Sequence, residues 1–314
     1  ALIAVFLVLF VLVPLLATRL TDWLWFRDIG FERVFLTKIA AQWAYGLAAG
    51  LGPFALLYAS ARFALRGVPT RNLHIRDANA WAQSGPKVVA ERFAAWAALP
   101  ASLLLAYMIG TGGSAYWGNL ARFYYRTPFG VTDPVFNRDV SYYVFTIPMI
   151  ESALTFLNVI AFFALAMAAL IYLARPEIGG AIGRAGEAWR LYITPMAQMH
   201  LAILGAVLML GGALRYLLVD VPSLLIAQHP VLFGATYTDL NVRLPLMRVL
   251  ALALVAGAVV LIWYASTGKL VRGLVVAIGG YVVAAILLGG IIPSSYQRLV
   301  VQPNELARET PQIN

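Results

Sequence analysis

Val249-Leu-Ala-Leu-Ala-Leu-Val-Ala-Gly-Ala-Val-Val-Leu-Ile-Trp-Tyr-Ala265 is followed, after the turn Ser266-Thr-Gly-Lys269-Leu-Val-Arg272, by Gly273-Leu-Val-Val-Ala-Ile-Gly-Gly-Tyr-Val-Val-Ala-Ala-Ile-Leu-Leu-Gly-Gly-Ile-Ile292. Neither apolar run holds a charged side chain. Each approaches the roughly 20 apolar residues that an α-helix needs to cross a bilayer. Backbone groups inside lipid must pair internally, so spanning segments are helices or closed barrels. Barrel strands are about ten residues of alternating polarity. These runs are longer and do not alternate. They read as two transmembrane helices joined by a short basic turn, and the fold class is an all-α membrane protein.

The rest of the chain agrees. Its 314 residues are 61% hydrophobic and 12% charged, with mean hydropathy +0.80. Soluble domains carry about 25% charged residues. Spans are expected at about 2–17, 39–65, 93–113, 147–174, 197–219, 247–266 and 273–292. Residues 1–293 would form one bundle of about seven helices, and 294–314 the start of an extracytoplasmic segment. The numbering opens inside an apolar run, so the natural start is expected upstream. The segment 2–17 lacks a basic n-region and reads as a span, not a signal peptide.

The formal net charge is +9. The basic residues sit mostly at span ends, where anionic headgroups attract them. They are not interleaved with stacking aromatics on one face, so the lipid bilayer is the expected partner and nucleic acid is not. With no cysteine, disulfides, thiolate metal sites and cysteine nucleophiles are excluded.

Pro128 to Pro148 differs from everything around it: long, polar, aromatic and bounded by prolines. The loop Ser114–Thr146 is expected to be ordered and to pack against a second long loop, Asp220–Pro245. Together they would form a platform under the tail from Gln297. The alternative is a loop lying singly in the headgroup layer, its aromatics acting as belt anchors. The two loops share wording, Phe129-Gly130-Val-Thr132-Asp133 and Phe233-Gly234-Ala-Thr236-Tyr-Thr238-Asp239. Similar turn chemistry is preferred to an internal repeat. In the second span, Gly46-Leu-Ala-Ala-Gly50 has the spacing that lets another helix approach closely, or arises by chance.

An odd number of spans puts the ends on opposite sides. The very short basic turn at Lys269–Arg272 marks the cytoplasmic face. Acidic residues concentrate on the other side, so the long loops and the tail are expected outside.

The run Asp133-Pro134-Val-Phe136-Asn-Arg138-Asp139-Val-Ser141-Tyr-Tyr143-Val-Phe145 resembles a loop of the uncharacterised bacterial membrane-protein family numbered 0182. Val231-Leu-Phe233-Gly234-Ala-Thr236-Tyr237-Thr238-Asp239, Asp22-Trp23-Leu-Trp25-Phe26 and Gln297 to Pro311 are similar to other parts of it. The resemblance covers nearly the whole chain. It implies a multi-pass protein with its C-terminus outside, continuing into a large extracytoplasmic domain. It implies no established activity and no catalytic residues.

Candidate site residues are the polar ones within spans and the outer acids. Asn158 sits mid-span, where it would hydrogen-bond a neighbouring helix or line a polar path. Arg215 would pair with Asp220 or Asp239, or snorkel. His200 would pack between helices or shuttle protons. Asp133, Asn137 and Asp139 do not follow the calcium-loop spacing, and pairing with Arg126 and Arg138 is the simpler expectation. No phosphate loop, zinc motif or nucleophile elbow appears, so no cofactor, metal or catalytic residue is expected. Three functions follow: a membrane anchor or scaffold for an extracytoplasmic domain or partner subunits, a transporter or channel, and, third, a membrane-embedded envelope enzyme. The mid-span positions are almost wholly apolar, which favours the first. The location implied is the bacterial cytoplasmic (inner) membrane. Composition and motifs leave the oligomeric state open.

Overall fold

The computed structural model describes residues 10, 13–66, 78–174, 178–181, 190–228 and 234–308. Most of the expected first span, Phe233 and residues 309–314 lie outside this set.

The elements are α1 (Val13–Asp28), α2 (Glu32–Ala64), α3 (Ala78–Ser114) and the short α4 (Trp117–Tyr124). They continue with α5 (Tyr142–Ala174), α6 (Pro195–Ile226), α7 (Asp239–Ser266) and α8 (Leu270–Asn304). A ribbon of β1 (Ile178–Ala181) and β2 (Arg190–Ile193) joins α5 to α6. Six helices among the described residues are long and apolar enough to cross a membrane: α2, the part Arg92–Ser114 of α3, and α5 to α8. Each matches one of the seven expected spans.

Several boundaries move outward. The stretch Arg19–Lys38, expected as a loop, is helical except for a turn at Gly30. α3 begins at Ala78, well before the expected span start at about 93. α8 runs past Pro293 into what was expected as a polar tail. A 35-residue helix is about 50 Å long, against a hydrocarbon core of about 30 Å. Charge density marks where a helix leaves lipid, whereas backbone pairing carries it further.

Each consecutive pair of long helices is antiparallel, which gives the bundle two unlike faces. One holds the tight turn 267–269 and the ribbon. The other holds residues 115–141, the loop before α7 and the end of α8. This second, loop-rich face also has widened helical turns. π-helical turns at Tyr142–Thr146, Tyr216–Asp220, Asp239–Arg243, Ala285–Ile291 and Gln297–Val301 each end two residues before a proline. The prolines are Pro148, Pro222, Pro245, Pro293 and Pro303. Proline donates no hydrogen bond, and its ring collides with the carbonyl four residues back. Widening the preceding turn moves that carbonyl aside.

The core lies between α2, α3, α5 and α6, where Leu57, Ala61, Ala98, Ala164, Ala168 and Tyr172 are buried. Small residues dominate because lipid offers no hydrophobic gain for helix pairing, so close contact must supply the attraction. The Gly46 and Gly50 spacing serves this purpose: a β-carbon on Gly110 of α3 would lie 3.0 Å from Cα of Gly50 and 3.1 Å from the Gly46 carbonyl oxygen. α7 joins the bundle on α6 through Ala213, Ala251 and Leu254. α8 adds to α6 and α7 at the edge, through Leu270 and Ala277.

Candidate functional site

The loop-rich face gathers most of the polar candidates. Thr132 and Asp139 form an isolated antiparallel bridge. Around it two carboxylates organise the chain. Asp133 accepts hydrogen bonds from the N–H groups of Val135, Phe136 and Arg138, and from the Tyr143 hydroxyl at 2.9 Å. Asp139 accepts from the N–H groups of Phe129, Gly130 and Ser141. Gly130 has φ +75°, which a side chain would disfavour.

The expected pairing of these acids with Arg126 and Arg138 does not occur. The backbone donors are local and cost no long side-chain ordering, so they reach the carboxylates first. Arg138 instead lies 4.4 Å over the Tyr142 ring, and Arg126 lies 4.2 Å over Phe123. Donors surround the carboxylate oxygens, an arrangement that stabilises the anions and not a bound cation.

The Ser141 hydroxyl and the N–H groups of Phe129 and Ser141 hold the Asp139 carboxyl down, to about 2. Burial opposes ionisation of Asp133, but Phe136, Arg138, Tyr143 and Val135 outweigh it and leave the group below the usual carboxylate range. A depressed folded-state pKa contributes stability that is complete above the unfolded value of about 3.9. That contribution is lost as pH falls through the folded value. Amide exchange should therefore find the Phe136, Arg138 and Ser141 N–H groups protected at pH 5 and progressively released from about pH 4 towards 2. Asp133→Ala should release the first two at every pH. Protection independent of both changes would remove the carboxylates from this role.

Arg215 makes two ion pairs, 2.7 Å to Glu151 on α5 and 3.5 Å to Asp220 on its own helix. The Asp220 partner was expected. Glu151 was missed, although an ionisable residue within an apolar run is itself a signal. Asp239 lies elsewhere: 1% exposed, it accepts from the Thr236 N–H and hydroxyl and pairs with Arg243 at 3.1 Å. Gly234, like Gly130, has positive φ. The two loops thus share a glycine at positive φ followed by an aspartate held by nearby donors, the N–H groups after Asp133 and the Thr236 N–H and hydroxyl before Asp239.

The tail is clasped by this second loop. Thr238 donates to the Gln297 side-chain oxygen. Arg308 donates to the Tyr237 hydroxyl at 2.7 Å and lies over its ring. The first loop reaches the same face through Tyr143 and Ile147, which are buried with Val219 of α6 and packed against Leu225.

Two candidates lie deeper. Asn158 Oδ1 is buried and accepts no hydrogen bond among the described residues. The expected interhelical bond from this oxygen is replaced by steric fit, for the amide occupies the space over Gly211 of α6. His200 is at the opposite end of the bundle. Its Nε2 lies 3.3 Å from Ser60 Oγ and its Nδ1 3.0 Å from the Tyr172 hydroxyl, joining α2, α5 and α6. Beside it Gln198 donates to the Ile193 carbonyl and accepts from the Leu270 N–H, fixing the start of α8.

Residues 1–314 match the family described as "Uncharacterised protein family (UPF0182)". The chain belongs to this family. A UPF0182 protein of Geobacter sulfurreducens is 34% identical over 99% of this chain and 34% of its own length. One from Pelotomaculum thermopropionicum is 31% identical over 99% of the chain and 34% of its own length. A Bradyrhizobium diazoefficiens member is 30% identical over 96% of the chain and 32% of its own length. The chain therefore spans about a third of the length of the curated UPF0182 relatives it matches. No solved structure matches it.

Proposed function

We propose that this UPF0182 chain is a membrane anchor and scaffold, whose loop-rich face holds an extracytoplasmic domain or partner subunits. It sits in the bacterial cytoplasmic membrane as a multi-pass bundle, with the loop-rich face and the tail outside. The observation that carries the reading is the clasp. Thr238 and Tyr237 grip Gln297 and Arg308, so the chain leaving α8 is aimed by the loop that caps α7. A bundle that only needed to span lipid would not need its exit segment oriented. The size of the matched relatives supports the same reading.

Transport is the second reading, supported by the Glu151–Arg215–Asp220 cluster near the start of α5 and the end of α6 and by the polar Asn158 below it. Proteolysis tests the first reading and flux the second. In spheroplasts bearing the full-length protein, external trypsin should cut beyond residue 308 and leave Lys269 and Arg272 intact. Tyr237→Ala should accelerate that cut severalfold while the spans remain protected. Cleavage at the 267–272 turn would reverse the orientation, and an unchanged rate would remove the clasp. Solute or ion flux through the purified protein in vesicles, abolished by Glu151→Gln, would establish transport instead.

A further inference from the structure

Helix α4 is only half covered by the bundle, which leaves one side of its composition unexplained. It reads Trp117-Gly-Asn-Leu-Ala-Arg-Phe-Tyr124, and none of its residues is buried. One face is settled: Asn119 donates to Ser152 Oγ at 2.9 Å, pinning α4 to α5. Away from that contact Tyr116, Leu120 and Tyr124 recur at the helical spacing of four, all exposed. Tyr124 and the adjoining Tyr125 are 75% and 78% exposed, and their rings meet edge to face at 5.0 Å. Arg122 and Arg126 flank this surface, and Arg126 stacks on Phe123.

We infer that α4 is an interfacial foot that binds the acyl–headgroup boundary of the bilayer. Its aromatic stripe enters the boundary, and Arg122 and Arg126 engage lipid phosphates. The inference rests on reading α3 and α5 as membrane-crossing. Given that, position selects the occupant. α4 begins three residues after α3 ends and is tied by Asn119 to the first turns of α5, so it lies where both helices leave lipid. Its chemistry is that of a surface helix, with amphipathic rings on one side and guanidinium groups able to reach phosphate. Tyrosine and tryptophan favour this depth because one end of each ring is apolar and the other polar. The loop is therefore divided. Asp133, Asp139 and Tyr143 fasten its second half to the bundle, while its first half grips lipid. Such a foot fixes the depth and tilt of the loop-rich face.

Residues 1–314 hold no cysteine, so the test uses single nitroxides on the full-length protein, with any cysteine outside this chain replaced by serine, in vesicles of phosphatidylcholine with phosphatidylglycerol. Labels on Leu120→Cys and Tyr124→Cys should collide readily with oxygen and poorly with a water-soluble nickel chelate. A label on Thr127→Cys should show the reverse. In phosphatidylcholine alone the Leu120 and Tyr124 labels should sit shallower. Arg122→Gln with Arg126→Gln should abolish that dependence on anionic lipid. Labels open to nickel would show a solvated helix, and labels shielded from both agents would show a protein partner; either overturns the inference. Val259→Cys, on the exposed face of α7, is the control. If it too is closed to oxygen, the membrane reading itself fails.

Discussion

Gly110→Leu is expected to force α2 and α3 apart and to be the most damaging single change in the bundle. A β-carbon at 110 already meets only backbone: Cα of Gly50 at 3.0 Å, the Gly46 oxygen at 3.1 Å and the Gly50 nitrogen at 3.2 Å. A neighbouring side chain can change rotamer, but two helix backbones can relieve the contact only by separating. Separation would also open the buried layer of Leu57, Ala61, Ala98 and Ile109. Overpacking typically costs about 1–3 kcal/mol, and a backbone-limited site should lie at or beyond the upper end. Thermal unfolding of the detergent-solubilised protein should show a large fall in Tm. No single second substitution on α2 should restore it, since positions 46 and 50 are already glycine. A Tm near the parent's would mean that the crossing is looser than described.

Gly211→Ala should behave differently. Here a β-carbon would collide with Asn158 Oδ1 and lie 2.8 Å from its Cγ and 2.9 Å from its Nδ2. The whole amide is in the way, so turning it about its own axis clears nothing, and the side chain must leave its rotamer. A loss of about 1–3 kcal/mol is expected. Asn158→Ala in the same chain should recover most of it, because the obstacle is one side chain. Asn158→Ala alone should change little: it loses packing but also removes a buried oxygen that has no donor among the described residues. The double-mutant cycle reads the coupling directly, of the order of 0.5–3 kcal/mol for contacting residues. Additive losses would mean that 158 and 211 do not share the contact.

These two sites differ in how far they could be read from the chain. Gly46 and Gly50 declare a close approach by spacing alone, but nothing in the sequence names Gly110 as what approaches. Asn158 was legible as polar and mid-span. Its fit over Gly211 was not, because steric complementarity depends on the rotation of two helices about their axes, which apolar periodicity leaves loose when lipid covers the outer faces. Arg215 shows the same division. Asp220, five residues on, was within reach of local reasoning, whereas Glu151 is 64 positions away.

The loops reverse the balance. Phe129-Gly-Val-Thr-Asp and Phe233-Gly-Ala-Thr-Tyr-Thr-Asp announced glycine–aspartate turns, and the turns formed because backbone N–H donors lie within a few residues of each carboxylate. Reasoning from charge assigned the partners wrongly, since Arg126 and Arg138 found aromatic faces instead.

By itself the sequence determined the membrane class and the location of the helices, through unbroken apolar length and the need of every backbone group in lipid to pair within its own segment. It also determined the local turns, through glycine and aspartate. Tertiary structure alone decided which glycine meets which backbone, which acid holds Arg215, and that the tail is clasped by Tyr237 and Thr238. It also decided that α4 keeps its aromatic face uncovered. Those outcomes are set by the relative rotation and depth of packed helices, a property of the assembled bundle that no single segment encodes.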